Sequence, residues 1–289
     1  MPQFKLKDGR ELEITDNGIT SEKAIVFHHG TPGHVSAWST WLEEAAARGI
    51  RAISYSRAGY GTSDRHFGRS VLSNNSDIAY LLEAKNILQF VAIGWSGGGP
   101  HALANTSDHR NIGAITLAGV GAFGASDLDF LEGMGPENHD EFGEALKGEA
   151  AIEAWMEINA PAMKNVTGEQ VREAFGGLIG DADKAVIDGE YADQLASVMR
   201  SSMAVSFDGW IDDDLAFVKQ WGFDLAAITK PVYIWQGDDD FMVPHAHSKW
   251  LAAHIPGSVL KFVPGHGHIS LVEKYRSEIL DQAQSLLLK

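Results

Sequence analysis

The 289-residue chain contains no cysteine. Disulfides, a thiolate nucleophile and zinc sites built on cysteine are therefore excluded. It contains no run of about 18 apolar residues, the length a membrane-spanning helix needs. The opening stretch, MPQFKLKDGREL, lacks the apolar core of a signal peptide, so a cytoplasmic protein is expected. Positive charge is scarce: 23 basic residues against 39 acidic ones give a net charge of −16. Such a chain is a poor partner for a phosphate backbone or an anionic bilayer, so neither nucleic acid nor a membrane is expected as a partner. Internal repeats and low-complexity segments are also missing. With 44% apolar and 21% charged residues, the composition is that of a folded globular protein able to bury a large core.

The charge is unevenly placed. Ala122–Gly222 carries 21 acidic and 6 basic residues, and the other 188 residues carry 18 and 17. An almost neutral body is thus interrupted by an acidic middle. The body alternates short β-rich runs with helical stretches. Phe4–Lys7 and Glu11–Ile14 flank a turn at Asp8-Gly9-Arg10 and read as a hairpin. Strands are expected at Ala24–His28, Ile50–Tyr55, Phe90–Gly94, Ile112–Ala118, Pro231–Gln236 and Val259–Val263. Helices are expected at Trp38–Arg48, Ser76–Leu88 (with Ser76 or Asp77 near its cap), Gly97–Asn105, His245–His254 and Ser270–Leu288. Strands separated by helices pair in parallel, with helices on both faces; the hairpin would add an antiparallel edge. The acidic middle reads as largely helical, with Gly and Pro punctuation and no evident strand.

Gly94-Trp95-Ser96-Gly97-Gly98 fits G-x-S-x-G. The apolar run before it and the helical run after it supply the strand–turn–helix setting that makes this pattern a nucleophile elbow. Gly94 and Gly98 would let strand and helix approach closely, leaving Ser96 at the carboxyl end of the sheet, where open α/β folds bind ligands. The glycine-rich stretch lacks the Lys-Ser/Thr ending of a phosphate-binding loop.

These residues resemble the α/β-hydrolase superfamily, over nearly the whole chain. The resemblance implies an α/β-hydrolase fold: a mostly parallel, doubly wound sheet with an N-terminal antiparallel hairpin. Residues 1–121 and 223–289 would form the core and 122–222 a helical cap. It further implies a serine hydrolase without a cofactor. The base falls in Val263-Pro264-Gly265-His266-Gly267-His268, where both histidines follow a glycine and His268 lies closer to the helix start. The acid falls in Gly237-Asp238-Asp239-Asp240-Phe241-Met242-Val243-Pro244, where G-x-x-D-x-x-V-P selects Asp240 and leaves Asp238 and Asp239 as a solvated turn. The oxyanion donors would be the N–H groups of Gly97 and of Thr31 in His29-Gly30-Thr31-Pro32-Gly33, since Pro32 has none. His28 and His29 read as braces, and Ser56–Asp64 as a structural loop.

The activity implied is hydrolysis of a small or medium carboxylic ester. Three other readings share parts of this pattern. A proline iminopeptidase-like aminopeptidase is favoured by the His-Gly-Thr-Pro-Gly loop and the acidic middle, and opposed by Gly97 where those enzymes carry tryptophan. A carbon–carbon bond hydrolase would use the same triad. A non-enzymatic small-molecule receptor on the same fold would be expected to lose triad members. Dehalogenases and epoxide hydrolases of this fold need a carboxylate where Ser96 stands. The His245/His247 and His266/His268 pairs do not make a metal site, because ligation needs three or more convergent ligands, and His245 and His247, i and i+2 at the start of a helix, do not share a face. No metal is expected. Trp155, Trp210 and Trp221 read as anchors of the acidic middle, one or two of which could reach substrate. Glu153 and Glu157, four apart, could share a helix face and attract a cation. Substrate-binding residues and oligomeric state are not legible.

Overall fold

The structure is a computed structural model and describes residues 2–289. Eight strands form one sheet: β1 (Gln3–Lys5), β2 (Glu11–Asp16), β3 (Lys23–His28), β4 (Arg51–Tyr55), β5 (Gln89–Trp95), β6 (Asn111–Leu117), β7 (Val232–Gly237) and β8 (Val259–Val263). Their order is β1-β2-β4-β3-β5-β6-β7-β8. The pairs β1–β2 and β2–β4 are antiparallel, and every later pair is parallel. The chain steps outward from β3 to β4 and returns to β5 on the other side of β3. This reversal opens a crevice at the carboxyl ends of β3 and β5.

Helices α1 (Ser39–Ala47), α2 (Asn74–Ala84), α3 (Gly98–Ala104), α10 (His245–His254), α11 (His268–Lys274) and α12 (Arg276–Leu287) cover the sheet. The central strands are buried on both faces and alternate strictly. In β3, Ile25 and Phe27 pack with Trp38, Trp41, Leu280 and Leu286, while Ala24 and Val26 pack with Ile78, Leu81 and Ala102 on the opposite side. Between β6 and β7 the chain lays down α4 (Pro136–Ala145), α5 (Glu149–Lys164), α6 (Gly168–Ala174), α7 (Asp181–Val186), α8 (Gly189–Ser202) and α9 (Asp208–Phe217). These helices share their own buried cluster, which includes Ile152, Met156, Val171, Ala196 and Met203. Their one extended contact is a bridge from Ile179 to Asp240. Among the described residues no helix is long and apolar enough to cross a membrane.

Several elements differ from the sequence expectation. The second helix begins at Asn74 and ends at Ala84, because Asn86 takes a left-handed conformation (φ 54°) and turns the chain into β5. Asp77 does not cap that helix; its carboxylate holds Arg10 through bonds of 2.6 and 3.0 Å. The last stretch is not one helix from Ser270 to Leu288. It starts at His268 and breaks at Tyr275, whose ring packs against Trp235 and His266. Five consecutive residues of α11, His268–Val272, are buried, a pattern no amphipathic surface helix can sustain.

Candidate active site

Ser96 sits between β5 and α3 with φ 56°, a left-handed conformation that costs a non-glycine residue about 1–3 kcal/mol. The turn is held by Ser96 N–H donating to the Leu117 carbonyl and Gly99 N–H donating to the Ser96 carbonyl, both at 2.9 Å. Close approach explains the flanking glycines. A methyl on Gly94 would strike the Gly98 carbonyl, and one on Gly98 would strike that of His28.

His268 begins α11 and Asp240 lies in the loop after β7; they are 1% and 4% exposed. His268 Nδ1 is 2.9 Å from Asp240 Oδ2. Asp240 also accepts the Met242 and Val243 N–H groups (3.0 and 2.8 Å) and the Gln236 amide (3.1 Å). With four donors around it Asp240 serves as an acceptor, so Nδ1 of His268 carries the proton and Nε2 is the basic nitrogen. Burial lowers the affinity of His268 for a second proton, but the Asp240 charge and hydrogen bond outweigh it and its pKa stands above 6.5. His266 has no acid partner: its Nδ1 meets the Pro264 carbonyl at 3.1 Å. Asp238 and Asp239 are tethers rather than a free turn, accepting the N–H groups of Gly265 (2.6 Å) and Ala182 (2.9 Å).

Thr31 and Gly97 are brought together. A methyl on Gly97 would strike the Thr31 side chain and come within 2.9 Å of Phe217. Neither backbone N–H takes part in a turn or strand hydrogen bond among the described residues. The Thr31 hydroxyl donates to Asp213 Oδ2 at 2.7 Å. The loop below it is fixed by Arg57, whose guanidinium donates to the carbonyls of His29 and Gly30. His29 accepts the Arg57 N–H on Nε2 (2.9 Å) and donates from Nδ1 to the Gly30 carbonyl (2.7 Å). His28 meets Tyr55 Oη at 2.8 Å. Burial, reinforced by the Arg57 charge, holds both imidazoles well below the usual range, so they brace the loop as neutral rings.

Over Ser96, Gly97 and Thr31 lies a cavity of ≈ 290 Å³, walled mainly by apolar side chains of α4, α5, α8 and α9. Trp155 and Trp210 line it; Trp221 is buried elsewhere, with Val71 and Leu225. Glu153 and Glu157 are exposed and do not reach it. His247 is buried between the Gly121 N–H and the Phe130 carbonyl, both at 2.9 Å, with a pKa lowered to about 4 by burial. Among the described residues no group of three potential ligands could hold a metal.

A family model described as "Alpha/beta hydrolase family" matches residues 25–281. The chain belongs to the alpha/beta hydrolase family. It is 26% identical over 274 residues to a non-heme haloperoxidase of Rhodococcus erythropolis and 27% over 278 residues to a non-heme chloroperoxidase of Burkholderia pyrrocinia. Each match covers 93% of this chain and 93% of the relative. An esterase from Exiguobacterium antarcticum superposes with a TM-score of 0.71 at 19% identity, covering 98% of each chain, which supports the fold.

In this alpha/beta hydrolase the residues that sequence reasoning missed come from the inserted helices. Asp183 of α7 accepts three backbone N–H groups, from His268 (2.9 Å), Ile269 (3.0 Å) and Ser270 (2.7 Å), capping the helix that carries the imidazole. A methyl on Gly267 would come within 2.6 Å of that carboxyl, so glycine is required there. Asp213 of α9 gathers Arg57, Arg69 (2.6 Å), Tyr60 (2.9 Å) and Thr31. The Ser56–Asp64 loop is thus structural in a specific sense: it clamps the Thr31 loop to α9. Trp95, beside the serine, packs on the imidazole. Its Nε1 donates to the His268 carbonyl at 3.2 Å and its ring lies 5.5 Å from the imidazole. No local motif marks these residues, since their partners lie up to 182 positions away.

Proposed function

We propose that this enzyme cleaves a small or medium carboxylic ester through an acyl-enzyme on Ser96. His268 is the base, Asp240 the acid that orients it, and the N–H groups of Thr31 and Gly97 the oxyanion donors. The observation that carries the reading is a strained serine at a strand–helix turn, with two unengaged N–H groups under a mainly apolar cavity, whose neighbour Trp95 packs on an imidazole paired with a buried carboxylate. Ser96 Oγ attacks the carbonyl carbon as its proton passes to His268 Nε2. The oxyanion is held by the two N–H groups, each contributing on the order of 3 kcal/mol. The imidazolium protonates the departing alcohol, then takes a proton from water, whose hydroxide releases the acid. Asp240 stays ionised throughout. Residues 122–222 form the cap over this site, excluding water and shaping the acyl pocket. No cofactor enters.

Chromogenic p-nitrophenyl esters of rising acyl length test the proposal, together with fluorophosphonate labelling. Turnover and stoichiometric labelling of Ser96, both lost in S96A, are expected; absence of labelling in folded protein would refute the mechanism. The sequence relatives favour a second reading, in which hydrogen peroxide replaces water at the acyl-enzyme. The peracid released would then oxidise halide to hypohalite, returning the carboxylate. Bromination of a dimedone by the wild type but not S96A, with peroxide and a short carboxylate present, would support it.

A further inference from the structure

Helix α9 carries three consecutive aspartates, and the structure treats the third unlike the other two. Asp212 holds Arg65 at 2.8 Å, and Asp213 holds Arg57 and Arg69. Asp214 is completely buried, lines the cavity above Ser96, and has no hydrogen-bond donor on either oxygen. What faces it is another acid. Glu141 of α4 lies against it, with Oε1 accepting Trp210 Nε1 at 2.6 Å, and lines the same cavity. One helical turn earlier, Glu137 joins the lining with a buried, unpartnered Oε2. No lysine, arginine or histidine lines the cavity among the described residues.

Two touching carboxyl groups without a cation share a proton. Burial, then the neighbouring Glu141 charge, hold Asp214 well above the usual carboxylate range. Burial raises Glu141 as well, to about 6, so the two acids ionise one at a time. Asp213 adds repulsion, and the nearby Arg69 is committed to Asp213. Once one acid ionises, its charge has the Trp210 N–H and the neighbouring acid's proton but no cation in the cavity lining. The cavity is the open side, and the faces of Trp155 and Trp210 suit both an apolar stem and a cationic head.

We propose that Glu141 and Asp214 form a subsite for a protonated amine carried by the substrate. The enzyme's preferred ester would then be one whose acyl or alcohol part bears an ammonium group on a short apolar stem. The proposal deepens the ester-hydrolase reading and rests on it for the reaction, though not for binding.

The test compares p-nitrophenyl 4-(aminomethyl)benzoate with p-nitrophenyl 4-ethylbenzoate, which differ by an ammonium in place of a methyl. Calorimetric binding of benzylammonium and benzyl alcohol to the full chain runs beside it. The ammonium member of each pair is expected to be favoured at least about tenfold, the scale of a charge-assisted hydrogen bond. E141Q, at the partly open side of the pair, is expected to bring both ratios close to unity, with its melting temperature checking the fold. Equal treatment of the paired compounds by the wild type, or a preference that survives E141Q, overturns the subsite. Fluorophosphonate labelling separates the two failures. Labelled Ser96 without ammonium preference sinks only the subsite, whereas ammonium binding without labelling sinks only the serine mechanism.

Discussion

Asp213 offers the sharpest test of how the site is held. Its carboxylate is completely buried and pairs with Arg57, itself completely buried, at 2.5 Å, and with Arg69 at 2.6 Å, while taking hydroxyl protons from Thr31 and Tyr60. D213N keeps the shape and removes the charge, leaving two buried guanidinium groups around a neutral amide. Breaking such a pair from one side costs about 3–5 kcal/mol. For a chain of 289 residues the entropy of unfolding is about 0.6 kcal/mol per kelvin, so the melting temperature should fall by roughly 5–8 °C. The defect should also reach turnover, because Asp213 fixes the Thr31 hydroxyl and, through Arg57, the carbonyls of His29 and Gly30. Calorimetric melting at pH 7 and ester turnover well below the melting temperature read the two effects separately. The pH dependence has a definite sign. Burial opposes ionisation of Asp213, but the arginines outweigh it and hold its pKa well below 3.8. The wild-type advantage is therefore complete above pH 3.8 and shrinks as pH falls toward the folded-state pKa. A D213N protein that melts within a degree or two of wild type, with unchanged kcat, would refute the clamp. An exposed control such as D8N should move melting by less than about 0.5 kcal/mol.

Four further outcomes follow from the same geometry. D240N should lower kcat on the order of 10⁴-fold by presenting the wrong tautomer of His268. In the wild type, the acid limb of kcat/KM should lie above pH 6.5, because the Asp240 charge outweighs burial in setting the His268 pKa; a limb at or below 6.5 contradicts that balance. D183A should uncap α11, costing about 0.5–2 kcal/mol of stability and lowering kcat more than KM, with partial rescue by D183N, which keeps an acceptor oxygen. Gly97→Ala should depress kcat by forcing its methyl against Thr31 and Phe217, and wild-type turnover in this variant would place the oxyanion elsewhere.

The order in which the site was legible follows the range of the interactions. Ser96 was readable because the G-x-S-x-G pattern is local, with small residues two before and two after the serine; Gly94 is required by contact with Gly98 inside the turn, and Gly98 by contact with the end of β3. The parallel strands were readable because burial on both faces leaves uninterrupted apolar runs. His268 and Asp240 needed the resemblance, since the sequence alone offers His266 and three adjacent aspartates as rivals. The structure separates them by one hydrogen bond of 2.9 Å. Asp183, Asp213, Glu141 and Asp214 were not singled out, because a carboxylate that caps, clamps or faces a cavity looks the same in sequence as one that faces water. The split of the last helix at Tyr275 was missed for a related reason: α11 is buried all round, which the periodicity of an exposed helix does not describe.

The acidic excess of residues 122–222 thereby acquires structure. Some of it is solvated, as at Glu153 and Glu157. A second part reaches down to the core: Asp213 grips the loop of Thr31, Asp183 caps the helix of His268, and Ile179 bridges to Asp240 itself. Each loop that supplies a member of the site other than the elbow is therefore fastened by the inserted helices. Those helices cannot act only as a cover that confers selectivity, because swinging them away as one body would release the oxyanion loop and uncap the imidazole together. Substrate entry must leave α7 and α9 in place and proceed through displacement of the parts that hold no such contact. Among the parts without such a contact is the middle of α5, where Glu157, Ile158 and Asn159 are exposed beside the cavity-lining Trp155. On the proposed mechanism α7 holds the helix of the base without lining the pocket, α4, α5 and α8 shape the pocket, and α9 does both, with Asp213 on the Thr31 loop and Trp210, Asp214 and Phe217 in the lining.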